Sequence, residues 1–266
     1  MAMPRLSLSL SVASLVLFLG RLISGSMAAI LVLIWALHFQ TSFLPSQQPA
    51  AHDLIFAVLH PLFMVIGFIL ISGEAILVQR WLPGSKNLKK SMHLSLQGVA
   101  LGCGIFGIWT KFHGQDGIMA NFYTLHSWMG LISISLFAAQ WLFGFINFWH
   151  KREVRTTRRT LLPWHVFLGL YTYGLAVVTA ETGLLEKLTI LQVRGDVLKR
   201  CPESAVVNGL GLCLALLSST VILAAVSPRR RGLKRRKILH LDNDDGSDDN
   251  GNGYFRDKSA QFLHPA

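Results

Sequence analysis

Apolar and polar positions along the chain fall into long blocks. Mostly apolar runs occupy roughly 17–39, 54–78, 92–110, 124–148, 162–184 and 204–226, divided by short polar stretches. Each run reaches about the 20 residues that an α-helix needs to cross a hydrocarbon core. A backbone in lipid must satisfy its own amides, so the blocks predict six helices and an all-α membrane protein. The first block is the least regular. Residues 6–19 follow Arg5 as an apolar stretch of signal-peptide character. Cleavage near Ser26 would leave only about a dozen apolar residues up to Phe39, too few to span. An uncleaved first helix is therefore expected, with Arg21 near the inner interface, where its side chain snorkels.

Composition agrees with this pattern. Hydrophobic residues make up 52% of the 266 positions, charged residues 15%, and mean hydropathy is +0.45. A soluble domain of this size carries more charge. The net charge of +11 suggests nucleic acid only if the basic residues form one surface. Instead they sort to alternate connections. Arg80, Lys86, Lys89 and Lys90 fill one loop; Lys151, Arg152, Arg155, Arg158 and Arg159 fill another; a run of seven follows the last helix. The intervening loops hold Lys111 alone, or Lys187, Arg194, Lys199 and Arg200 diluted by Glu186, Asp196 and Glu203. The positive-inside rule puts the basic loops and both termini in the cytosol, which requires an even number of spans. The expected organisation is an N-terminal cytosolic or targeting segment over 1–16, a six-helix domain over 17–228, and a tail over 229–266. That tail is basic, then acidic and Gly-rich, and is expected to be disordered.

Two other chemistries recede. Cys103, Cys201 and Cys213 show no metal-ligand spacing and no disulfide framework, and read as free thiols. Gly102, Gly104 and Gly107 follow no strand, so they are expected to pack helices and not to cradle phosphate.

Histidine placement carries the functional signal. Of ten histidines, His60, His93, His126 and His165 fall one each in spans two to five. Ionisable groups in membrane helices are costly and usually functional. Each lies near the start of its span, and successive spans run in opposite directions. His60 and His126 therefore share the outer side, and His93 and His165 the inner side. Reversing the orientation would leave the pairs intact. Two imidazoles at one depth are too few for a protein zinc site. They suit the axial positions of a haem, which brings its own four equatorial donors. Gly130 follows His126 by one helical turn and Gly169 follows His165 by one, leaving a missing side chain beside each ring. His60, Gly67 and Glu74 recur at seven and are expected to share a face. Fixed a few residues inside a ~30 Å core, two such haems would have irons roughly 20 Å apart, a plausible electron-transfer step.

The segments LHPLFMVIGFILISGEAIL, KNLKKSMHLSLQG, NFYTLHSWMG and LPWHVFLG resemble the cytochrome b561 family in order, spacing and identity. The resemblance covers about residues 20–228 and is nearest to short plant-type members. It implies a central four-helix bundle holding two b haems, with His60, His93, His126 and His165 as the axial iron ligands in the pairs read above. It implies an ascorbate-dependent transmembrane reductase, oxidising cytosolic ascorbate and delivering single electrons to monodehydroascorbate or ferric chelates opposite. Lys86, Lys89, Lys90 and Arg155 match its cytosolic ascorbate site; Phe112, His113, Asn121 and Tyr123 match its second substrate site. Glu74 matches the family's GEA and is expected to be a buried hydrogen-bonding or packing element. His38, His52 and His150 match no ligand position. A vacuolar or other endomembrane, or the plasma membrane, is expected; a homodimer is allowed but not established by the sequence. Two rival readings are a haem-free, histidine-lined transporter and a haem-bearing anchor subunit of a larger redox complex.

Overall fold

A computed structural model describes residues 4–43, 51–112, 122–150, 155–195 and 197–227, with side chains at 4–11, 51–53 and 155 outside that description. The tail after 228 also lies outside it. Met1–Val226 forms one compact unit that contains every helix described below. The described residues are helical with no strand. The chain runs α1 (Pro4–His38), a 3-10 turn (Gln40–Phe43), α2 (Ala51–Leu62), a π-helical stretch (Phe63–Leu70), α3 (Ile71–Trp81), α4 (Lys86–Phe112), α5 (Leu125–Gly144), a second π stretch (Phe145–His150), α6 (Arg155–Arg194) and α7 (Pro202–Val226). α2, the first π stretch and α3 form one continuous span, so six helices are long and apolar enough to cross a membrane.

α1 and α7 pack along their length. Val207, Leu210, Leu214, Leu217, Val221 and Ala224 are buried at alternating steps of three and four, the spacing of a left-handed helix–helix seam. Ala28, Val32 and Trp35 of α1 supply the facing buried residues. At one end of the pair, Glu203 in the first turn of α7 accepts from Trp35 Nε1 (3.0 Å) and Ser42 Oγ (2.9 Å). Its charge also suits the positive end of the helix dipole. One residue further on, the backbone amide of Ser204 donates back to Cys201 Sγ (3.4 Å). That contact holds the Cys201 thiol below its ordinary pKa.

The helix α1 begins well before the expected 17, and Arg21 does not snorkel. Its side chain is only 12% exposed, paired with the Glu74 carboxylate on α3 and lying over the rings of Phe18 and Trp81. Glu74 is the hydrogen-bonding element expected, but it is not buried. Its side chain is 53% exposed, on the outer surface of the span, where it neutralises Arg21.

The reason is the π stretch. Pro61 in the last turn of α2 lacks an amide donor and crowds the preceding turn, and the backbone widens into π geometry from Phe63. A π stretch inserts an extra residue relative to an α-helix. Positions beyond it are rotated off the α-helical heptad, so Glu74 leaves the face that His60 and Gly67 would define. Gly67 is a packing glycine: a Cβ there would meet Cys103 Cβ at 2.5 Å. Gly104 and Gly107 are likewise close to Ile134, Phe68 and Met64, whereas Gly102 faces open space and packs against nothing.

Candidate functional site

The four spans from α2 to α6 bring the four histidines into two layers. His60 and His126 have ring centres 6.2 Å apart, and His93 and His165 have ring centres 6.3 Å apart. A metal held between two imidazole nitrogens at about 2 Å each, with each ring centre about 1 Å further back, requires centres roughly 6 Å apart. All four rings are half-buried.

Neighbouring helices orient the rings reciprocally. His60 Nδ1 donates to Gly107 O on α4 (2.7 Å), and His93 Nδ1 on α4 donates to Ala75 O on α3 (2.7 Å). His126 Nδ1 on α5 donates to Thr179 O on α6 (2.8 Å). His165 Nδ1 on α6 faces the side-chain amide of Gln140 on α5, 2.9 Å away. A carbonyl only accepts, so a ring bonded to one carries its hydrogen on Nδ1 and leaves Nε2 bare, the form that ligates a metal. Each layer thus takes one histidine from the α2–α4 half and one from the α5–α6 half.

Helix arithmetic sets the distance between layers. Gly107 follows His93 by fourteen residues, Gln140 follows His126 by fourteen, and Thr179 follows His165 by fourteen; Ala75 follows His60 by fifteen. Fourteen α-helical residues rise about 21 Å. The fifteenth residue in the α2–α3 span is the one the π stretch absorbs, which returns the Ala75 carbonyl to His93.

Between the layers the bundle is packed. Phe68 of the π stretch and Phe137 of α5 lie with ring centres 4.8 Å apart, both buried. Gln97 Oε1, Ser133 Oγ and Tyr173 Oη are buried there without a hydrogen-bond partner. Around the His93–His165 layer, Phe143 and Phe148 flank the His165 ring at 6.4 and 5.1 Å, and the second π stretch carries Phe148 there.

The residues fit a haem. The ring spacing admits one iron per layer, and three of the four rings are fixed with Nε2 bare. A Cβ added at Gly130 or Gly169 would be in ordinary contact, 3.7 Å from Thr179 and Gln140 respectively, so neither position is tightly packed. Among the described residues no third His, Cys, Asp or Glu joins either pair, as suits a group with its own equatorial donors.

Sequence reading missed two further glycines. A Cβ at Gly183 would meet His126 Cε1 at 2.6 Å, and one at Gly144 would meet His165 Cε1 at 3.0 Å. Each ring therefore lies against the backbone of the neighbouring helix, one turn beyond its hydrogen-bond partner. A signal existed: His126, Gly130, Gln140, Gly144 and His165, Gly169, Thr179, Gly183 repeat the same spacing, an internal repeat across α5 and α6.

The remaining candidates lie towards the ends of the helices. Lys86 is exposed in the first turn of α4, with Lys89 and Lys90 half-buried one turn before His93. Lys90 Nζ sits over the Trp149 ring at 5.2 Å, and the Lys89 carbonyl accepts from Gln79. Phe112 ends α4 and contacts Phe122 with ring centres 5.7 Å apart, while Tyr123 is 81% exposed. His113, Asn121 and the Arg155 side chain lie outside the described residues. His150 stacks on Phe145 and His38 meets Phe39 edge-on, and neither joins a histidine pair.

An all-α, multi-pass membrane protein with two opposed histidine pairs defines a class of intramembrane electron carriers. The sequence pattern of eukaryotic cytochrome b561 matches residues 59–191. The chain is 62% identical over 226 residues to the probable transmembrane ascorbate ferrireductase 4 of Arabidopsis thaliana, covering 85% of this chain and 91% of that one. It is 46% identical to transmembrane ascorbate ferrireductase 2 of the same plant, over 77% of this chain and 88% of that one. It is 44% identical to the probable ascorbate-specific transmembrane electron transporter 1 of Oryza sativa subsp. japonica, over 76% and 86%. The chain belongs to the cytochrome b561 family, and membership implies b-type haem.

Proposed function

We propose that this chain carries single electrons across its membrane, from cytosolic ascorbate to monodehydroascorbate or a ferric chelate on the other side. His93 with His165, and His60 with His126, would each hold one b haem. The observation that carries this reading is the pair of histidine layers, each at iron-bridging spacing and about 21 Å apart along the helices. The relatives' names, ferrireductase and electron transporter, point the same way. A haem-free transporter is disfavoured, because three of the rings are tied to backbone carbonyls in the ligating tautomer.

A b haem between two imidazoles supplies a one-electron ferric/ferrous couple with no open coordination position. The chain supplies the rest. Lys86, Lys89 and Lys90 form a cationic mouth directly before His93, and Arg155 opens α6 before His165. Ascorbate is an anion at neutral pH, and such a mouth raises its local concentration. Phe112 and Tyr123, with His113 and Asn121 between them in sequence, form the acceptor side; His113 is suited to proton exchange near neutrality. Phe68 and Phe137 pack against each other in the space between the layers.

Vesicles loaded with ascorbate test the direction and the substrates. Protein inserted in them should reduce an external ferric chelate, and protein-free vesicles should not. Replacing Lys86, Lys89 and Lys90 together by Gln should raise the KM for ascorbate several-fold, with a smaller change in kcat and a weaker dependence on salt. No ascorbate-dependent reduction would overturn the proposal; an unchanged KM would remove the lysines from it.

The glycines give a second check. Gly183→Val should displace the His126 ring and lower haem content by one per chain. Gly169→Leu extends its side chain from a position in contact with Gln140 beside His165, and should cost the inner haem. Full loading of both variants, measured by absorbance per chain, would contradict the assigned positions.

A further inference from the structure

On α5 and α6, the residue one turn beyond a ring's hydrogen-bond partner lies against the same ring. Gly144 follows Gln140 by four and meets His165; Gly183 follows Thr179 by four and meets His126. α4 repeats the spacing around His60. The Gly107 carbonyl oxygen faces His60 Nδ1, and the residue four further on is Lys111. Residues four apart share a helix face. Where the other two helices bring bare backbone to a ring, α4 brings a cation. Lys111 is exposed in the last turn of α4, and its charge reaches His60. It is the only Lys or Arg between His93 and His126 in the sequence.

α6 brings the opposite charge from the other half of the bundle. Glu186 stands three residues beyond Gly183, half-buried, and interacts electrostatically with Lys111. Its neighbour Lys187 is held elsewhere: Nζ donates to the Phe43 carbonyl oxygen (3.3 Å) and lies over the Phe43 ring. One cation and one anion thus flank the His60–His126 layer, on the two helices that orient its rings.

The proposed acceptors make this pair consequential. Monodehydroascorbate is an anion, and ferric chelates of polycarboxylates carry negative charge. An exposed lysine concentrates such molecules where the electron leaves, and a carboxylate beside it opposes them. Neither charge acts on ascorbate at the lysine-rich mouth. The two layers are ~21 Å apart along the helices, well beyond a Debye length of about 8 Å.

We propose that Lys111 and Glu186 select the electron acceptor by charge, Lys111 drawing anionic acceptors to the His60–His126 layer and Glu186 weakening their hold. The inference rests on the electron-transfer reading above.

The test uses ascorbate-loaded vesicles carrying the full-length protein and two external acceptors, the anion ferricyanide and the cation hexaammineruthenium(III). Each takes one electron and no proton. Lys111→Gln should raise the KM for ferricyanide several-fold and lower that for the ruthenium complex. Glu186→Gln should do the reverse. Both shifts should shrink as salt is raised, and the dependence on internal ascorbate should match wild type. A lysine that only held a haem carboxylate would move acceptors of both signs alike. If Lys111→Gln lowers haem content, the signs in Glu186→Gln decide. Unchanged KM values, or shifts of one sign for both acceptors, would overturn the inference. Wild-type vesicles that reduce neither acceptor would instead overturn the reading beneath it.

Discussion

His126→Ala yields a chain with one haem in place of two, and His60→Ala yields the same chain spectroscopically. Each layer has two protein donors and, among the described residues, no His, Cys, Asp or Glu to replace a lost one. The surviving ring of the pair stays tied to its carbonyl partner, Gly107 O for His60 and Thr179 O for His126, and cannot swing across to fill both positions. Combining the two substitutions should therefore cost no more haem than either alone. His93→Ala and His165→Ala should form a second equivalent pair and remove the other haem. Transmembrane electron flow should fall to background in all four, because one remaining layer leaves most of the ~21 Å separation unbridged. Haem per chain, measured on purified protein, checks the pairing. A chain that loses both haems on His126→Ala but neither on His60→Ala would break it.

The second large effect is at the Arg21–Glu74 pair. Arg21 lies in a membrane-spanning helix with little exposure, and Glu74 is its carboxylate partner. Glu74→Leu leaves a guanidinium without its countercharge, with only the Phe18 and Trp81 rings against it. An uncompensated Arg at a helix centre costs about 3 kcal/mol on insertion scales, and removing one partner of a pair costs more than removing both. Glu74→Leu should thus lower thermal stability in detergent sharply. Arg21→Leu combined with Glu74→Leu should recover most of the loss. A double variant no more stable than Glu74→Leu alone would show that the pair does not hold α1 to α3.

Six helices and the two histidine layers were legible in the sequence for simple reasons. Span length is fixed by the hydrocarbon core, and layer membership needs only the order of histidines on helices of alternating direction. Glu74 was not legible, because seven-residue spacing was read on an unbroken α-helix. The π stretch between His60 and Glu74 shifts the register by one residue, and Pro61 was its only local sign. The pairing of Arg21 with Glu74 went unread for a related reason: Glu74 was assigned to the interior. Gln140, Gly144 and Gly183 act across a helix–helix contact, where a ring from one chain segment meets the backbone or amide of another. Intrahelical periodicity within one span does not report such contacts; comparison of α5 with α6 as a repeat does. Gly102 fits neither rule, since it packs against nothing.

The most direct measurement is the visible spectrum of the purified full-length protein before and after adding ascorbate, with haem counted per chain. The account predicts two b haems per chain, with sharp reduced bands appearing on ascorbate addition. A colourless protein, expressed with ample haem supply, or a coloured one that ascorbate leaves oxidised, would contradict it.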